Sequence, residues 1–147
     1  EDGKDDGDAP ILLELLNDKK GMRLMKEFCE REWSTENILC WEALRDYRNT
    51  MPATADEIKN IMNVHVRKGS NMEVNIPAKS RRILAESVGD DGEKATDGMP
   101  FEEVFSDLNK QVETNLSDTL SRLILTTEYE QYVKKRRIIQ EAQDIYL

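Results

Sequence analysis

Phe101, Val104, Phe105, Leu108, Val112, Leu116, Leu120 and Leu123 recur at intervals of three and four residues. A stripe of that period is the buried side of an amphipathic helix. A strand would need apolar residues at every second position, and no such alternation persists anywhere in the 147 residues. The stretch therefore predicts a long helix, with a break expected near Ser117, and an all-α chain around it.

Shorter stripes of the same period lie on either side. Ile11, Leu12, Leu15 and Leu16 form one helix, with Pro10 in its first turn and a break at Gly21. Met22, Met25, Phe28 and Cys29 form a second, ending near Arg31. A third starts at Ser34 and runs through Ile38, Trp41, Leu44 and Tyr47 to about Asn49; Met51-Pro52 ends it, because the residue before a proline avoids the helical region. Thr54-x-x-Glu57 is a capping box, followed by Ile58, Ile61, Met62 and His65 on one face and a stop at Lys68-Gly69. Residues 72–77 read as extended, and Pro77 opens a helix carrying Ile83, Leu84 and Val88. Residues 89–98, rich in Gly and Asp, predict a mobile loop. A last helix carries Tyr129, Tyr132, Val133, Ile139 and Ala142. Glu1 to Ala9 reads as a disordered acidic lead-in, and residues 10–147 as a single domain.

Net charge is −9 with 35% charged residues, which disfavours nucleic acid as the main partner, because a phosphate backbone is bound by positive surface. No apolar run approaches the roughly 20 residues that span a bilayer. The first residues are acidic rather than basic-then-apolar, so no signal peptide is expected. Cys29 and Cys40 lie in apolar helical patterns and read as reduced core residues, which favours a cytoplasmic location. His65, the single histidine, sits on an apolar face and reads as core, so neither a metal site nor a His-activated nucleophile is expected. Gly89, Gly92 and Gly98 make no phosphate cradle. Asp90, Asp91, Glu93 and Asp97 lack the alternating spacing of a calcium loop. Lys134, Lys135, Arg136 and Arg137 point in different directions on a helix. They read first as solvated surface, and second as a peripheral contact with anionic lipid, each charge contributing roughly 1 kcal/mol when close. By elimination the chain reads as a binding module without metal, cofactor or catalytic residues of its own.

The segment Glu32-Trp33-Ser34-Thr35-Glu36-Asn37-Ile38-Leu39-Cys40-Trp41 carries the strongest local signal. Ser34 is an N-cap candidate, since its oxygen can accept from N–H groups that a first turn leaves unpaired. Two readings are open for its neighbours. Either this is a capped helix with Trp33 in a core, or Trp33 and Asn37 sit on an exposed rim used for binding.

With the helices placed, the chain resembles the regulator of G-protein signalling (RGS) domain. Glu32, Trp33, Ser34, Asn37, Ile38 and Trp41 match that family's acidic-aromatic-Ser-x-x-Asn-Ile-x-x-Trp segment. Leu15-Leu16, Gly21 and Phe28 match its Leu-Leu…Gly…Phe spacing, Glu73-Val74-Asn75-Ile76 its Glu-Val-Asn segment, and Tyr129 and Tyr132 its terminal Tyr-x-x-Phe. The resemblance covers roughly Ile11 to Val133. It implies a bundle of about nine helices that binds an activated Gα subunit and accelerates GTP hydrolysis. The domain would hold the switch segments in their transition-state arrangement, so that the Gln, Arg and magnesium already in Gα do the chemistry. Carried over by position, Glu32, Trp33, Ser34 and Asn37 contact the switches from one loop. Asn75 lies nearest the catalytic glutamine, and Leu123, Thr127, Glu128 and Gln131 form a third region. The resemblance also implies a role in inhibiting signal transduction; the expected location is cytoplasmic, with recruitment to the inner face of the plasma membrane following only from the second reading of Lys134 to Arg137.

The chain departs from the family's pattern in the third region. Many members carry Asp, Ser, Tyr and then an Arg that braces the Asp; here Thr127, Glu128, Tyr129 and Gln131 stand instead. A neutral hydroxyl bond is roughly half as strong as a charge-assisted one. Pro77 stands where an acidic residue is common, and the segment from Phe101 to Leu120 reads as longer than in compact members. An alternative is therefore an RGS-homology docking scaffold without GTPase activation. A third reading, a helical enzyme using Glu102, Glu103 and Asp107, places its carboxylates on the polar side of an amphipathic helix.

Overall fold

Every regular element among the described residues is helical. The computed structural model describes residues 11–50 and 53–146. In chain order they form α1 (residues 11–17), α2 (Lys19–Arg31), α3 (Thr35–Asn49), α4 (Ala55–Ile61) running into a π-helical turn (Met62–Val66), α5 (Ala78–Val88), α6 (Phe101–Val104), α7 (Ser106–Leu123) and α8 (Thr127–Tyr146). The all-α expectation holds, with eight α-helices and the π-turn where about nine helices were expected. The expected lead-in Glu1–Ala9, the opening Pro10 and the stop at Met51-Pro52 lie outside the described residues. No described helix is long and apolar enough to cross a membrane. Among the described residues no group of three or more His, Cys, Asp or Glu could hold a metal ion. The chain divides into two compact units, residues 11–33 with 117–146, and Ser34–Leu116.

The central unit, Ser34–Leu116, is built on the predicted stripes. Ile38, Trp41, Leu44 and Tyr47 of α3 are buried, as are Ile58 and Ile61 of α4, Leu84 and Val88 of α5, and Leu108, Val112 and Leu116 of α7. Each fully buried side chain of this size contributes about 1.5–3 kcal/mol. The capping box at α4 forms as expected: Thr54 Oγ1 accepts from Glu57 N–H at 3.3 Å, and Glu57 Oε1 accepts from Thr54 N–H at 2.9 Å. Residues 89–98 hydrogen-bond to the start of α4, where Gly98 N–H donates to the Ala53 carbonyl at 2.8 Å and Asp97 Oδ1 accepts from Ala55 N–H at 2.8 Å. His65 is buried in the π-turn with Nδ1 3.1 Å from the Met72 carbonyl, and burial holds its pKa below the ordinary value.

The long stripe breaks at Phe105, not near Ser117. Phe105 turns to φ −116°, ψ 6°, and its fully buried ring lies edge-on to Tyr47, 5.4 Å between centroids. Its carbonyl then accepts from Asn109 N–H at 2.8 Å, which starts α7. A serine inside a helix costs only a few tenths of a kcal/mol, and α7 continues through Ser117.

In the terminal unit the break falls at Asp18 rather than Gly21. The Asp18 carboxylate caps α2 by accepting from Gly21 N–H at 2.9 Å, and also accepts from the Tyr132 hydroxyl at 2.8 Å. Burial, and next this bond, push the Tyr132 hydroxyl up to about 12. Gly21 is needed for close approach, since a Cβ there would sit 2.3 Å from the Leu15 carbonyl and 2.8 Å from the Tyr132 hydroxyl. Leu12, Leu15, Leu16, Met25, Phe28, Cys29, Leu120 and Leu123 form the core. On α8 only Tyr129, Tyr132 and Val133 are half-buried; Ile139 and Ala142, expected on the same apolar face, are exposed. The run Lys134 to Arg137 interrupts the apolar period there, and all four of its side chains are exposed. Within the run, Lys134 lies 4.0 Å from Glu130 and Arg136 stacks over the Tyr132 ring.

Candidate functional site

The turn between α2 and α3 leaves Trp33 standing in solvent. Its φ is +58°, alone among described non-glycine residues in the left-handed region, and its side chain is 93% exposed. The core placement of Trp33 is thereby set aside in favour of the exposed rim. Left-handed backbone costs an ordinary L-residue roughly 1–2 kcal/mol, while glycine adds about 0.5–1 kcal/mol of unfolded-chain entropy. Trp33→Gly should therefore unfold in urea within about 1 kcal/mol of the natural chain, although it deletes the largest exposed side chain of the turn.

Glu32 ends α2, and its carboxylate is gripped by Arg122, with Nε and Nη2 donating at 2.8 and 2.9 Å. That bond holds the Glu32 carboxyl below the usual carboxylate range. Asp118 accepts from the same guanidinium at 2.9 Å. Glu32 is thus a fixed, half-buried anion rather than a loose surface charge.

Ser34 occupies the N-cap position of α3 but makes no cap hydrogen bond, and its Oγ is buried without a partner in the structure. The expected cap fails on backbone geometry. Asp18 and Thr54, which do cap, are extended with ψ of 131° and 154°, whereas Ser34 has ψ 42°. An N-cap side chain reaches its first-turn N–H groups from the extended region.

Asn37, expected on the rim, is 9% exposed in the first turn of α3. Asn75 is exposed, because residues 73–77 are extended and alternate: Val74 and Ile76 point into the core and Asn75 points out. The central unit joins the two through Asn115 of α7, whose Nδ2 donates to Asn37 Oδ1 at 3.0 Å and to the Asn75 carbonyl at 2.9 Å. On the flank of Asn75, Arg81 donates to Glu73 Oε2 at 2.6 Å and to the Val66 carbonyl, which fixes the course of the extended segment.

In the terminal unit, Thr127, Glu128 and Gln131 are exposed on the first two turns of α8, and Glu128 accepts from Arg31 at 3.1 Å. Leu123 is 0% exposed and packs in the core, so its side chain presents no surface here. Thr126 caps α8, its hydroxyl accepting from Tyr129 N–H at 3.1 Å.

The model of the regulator of G protein signaling domain family matches residues 12–132. The chain belongs to the RGS family. It is 26% identical over 143 residues to Regulator of G-protein signaling 10 of Homo sapiens, covering 93% of this chain and 70% of that protein. It is 28% identical over 124 residues to Regulator of G-protein signaling loco of Drosophila melanogaster, covering 82% of this chain and 7% of that protein. Against Regulator of G-protein signaling 10 of Rattus norvegicus it is 31% identical over 83 residues, 53% of this chain and 46% of that protein.

Two polar residues of this RGS domain escape sequence reasoning. Asn115 reads as one polar position beside the α7 stripe, and its only local signal is adjacency to buried Leu116. Arg122 reads as an ordinary basic residue near a helix end; nothing local announces its partner Glu32.

Proposed function

We propose that this RGS domain binds the activated Gα subunit of a heterotrimeric G protein and accelerates its GTP hydrolysis. The domain contributes hydrogen bonds and packing to the Gα switch segments. Gα contributes the glutamine, arginine and magnesium that act on the phosphate. Holding those groups in the transition-state arrangement before reaction removes reorganisation from the barrier. The observation that carries the reading is the placement of Asn75: an exposed carboxamide on an extended segment anchored by buried Val74 and Ile76, at the position where the family pattern has its interface asparagine. The exposed Trp33 supports the same reading from the α2–α3 turn. Thr127, Glu128 and Gln131 would supply the third contact. Leu123 is left out of the proposed surface because it is buried.

The experiment compares capture of Gα loaded with GDP against Gα loaded with GDP and aluminium fluoride, together with single-turnover GTP hydrolysis. The expected result is preferential capture of the aluminium-fluoride form and faster hydrolysis. No acceleration with any Gα tested at micromolar domain sinks the reading. The neutral Thr127 and the Gln131 in place of an acid and its arginine favour a second reading, a docking scaffold, and equal capture of both Gα forms would select it.

A further inference from the structure

Asn115 is held between two acceptors of different kinds. One is the Asn75 backbone carbonyl, 2.9 Å from its Nδ2, which can only accept. The other is the Asn37 carboxamide, 3.0 Å away, which can turn either end toward its neighbour. The fixed acceptor decides the matter: Asn115 must turn its amino group toward Asn75, and the same amino group then faces Asn37. Asn37 in turn must offer Oδ1, which directs its own amino group away from α7. The orientation is imposed by the bonds themselves and needs no assignment by convention.

We propose that Asn115 is a positioning residue for the Gα-facing surface, setting Asn37 as a hydrogen-bond donor and tying it to the backbone of Asn75. The proposal rests on the Gα reading above. α7 suits the task, because Val112 and Leu116 on either side of Asn115 are fully buried and hold the helix still. One amino group with two hydrogens satisfies two acceptors from two elements, α3 and the extended segment, and so links the two asparagines through a single side chain. A surface fixed this way favours the switch arrangement that matches it over others, which raises rate more than affinity.

Asn115→Asp tests this with almost no change in shape. The carboxylate has no donor for the Asn75 carbonyl, and it draws the amino end of Asn37 toward itself, turning Asn37 from donor to acceptor at the surface. The expected result is about a tenfold or greater loss of Gα acceleration at saturating domain, with a smaller change in the half-saturating concentration. In an Asn37→Ala background the same substitution should cost severalfold less, because only the tie to the Asn75 carbonyl is left to lose. An equal loss in both backgrounds means a merely structural role and overturns the proposal, as does no loss in either. Should Asn115→Asp fail to fold, Asn115→Ala is carried through the same cycle. A scalar coupling across the hydrogen bond between the Asn115 side-chain nitrogen and the Asn75 carbonyl carbon is expected by NMR in the natural chain, and its absence also overturns the proposal. A natural chain that accelerates no Gα defeats the Gα reading itself and this proposal with it, an outcome distinct from an active natural chain that tolerates Asn115→Asp.

Discussion

Asn75→Ala is expected to lower the acceleration of Gα GTP hydrolysis by about ten- to a hundredfold while leaving the fold intact. The magnitude follows from leaving the catalytic glutamine of Gα without its hydrogen-bond partner in the closed interface, about 1–3 kcal/mol. The intact fold follows from the geometry. The Asn75 side chain is exposed, and what the central unit uses internally is its backbone carbonyl, which accepts from Asn115 and survives the substitution. Urea unfolding should therefore be nearly unchanged, and single-turnover hydrolysis should carry the whole effect. Asn37→Ala would be a poorer probe alone, because it removes an internal acceptor and leaves an Asn115 N–H unsatisfied, costing about 1–3 kcal/mol of stability. Full activity of Asn75→Ala would contradict the assignment of the interface to this residue.

Phe105→Ala should produce the largest loss of stability among single substitutions in the central unit, about 3–5 kcal/mol. The ring is fully buried, edge-on to Tyr47 and tilted against Phe101. The residue also sets the break between α6 and α7. Edge-to-face aromatic pairs add about 0.5–1.5 kcal/mol beyond area burial. Tyr47 depends on the same packing, since its hydroxyl donates to the Met99 carbonyl at 2.6 Å. A domain with a total of about 5–15 kcal/mol would lose a large share, visible as a displaced urea midpoint. Phe105→Leu, which keeps most of the volume, should cost much less. A midpoint within about 1 kcal/mol of the natural chain for Phe105→Ala would mean that the surrounding side chains collapse into the space.

The parts of the fold written in local spacing were legible. The stripe from Phe101 to Leu123 is buried throughout, and the capping box at Thr54 closes as its residues dictate, because a cap needs only its own four residues. The outward turn of Asn75 also follows from its two apolar neighbours. What was not legible depends on partners far along the chain or on a single dihedral angle. The helix break sits at Phe105, whose ring packs edge-on to Tyr47 far along the chain. Gly21 is a point of close approach to Leu15 and Tyr132 rather than a stop. Ser34 has the composition of a cap but not the backbone angle for one. At the surface, Trp33 and Asn75 could be found by position in a motif, whereas the Asn115 bridge and the Arg122 grip on Glu32 join residues that no spacing connects.

The two cysteines are both buried, and they fall one to each compact unit: Cys29 within residues 11–33 and Cys40 within Ser34–Leu116. Burial pushes the Cys40 thiol up to about 12, so at neutral pH it is almost entirely the unreactive thiol until its surroundings open. Each unit therefore contains its own clock. The rate at which a thiol reagent reaches Cys29 times the opening of the terminal unit, and the rate at Cys40 times that of the central one. The natural sequence, without any introduced probe, can thus report whether the elements bearing Trp33 and those bearing Asn75 open in a single event or in two.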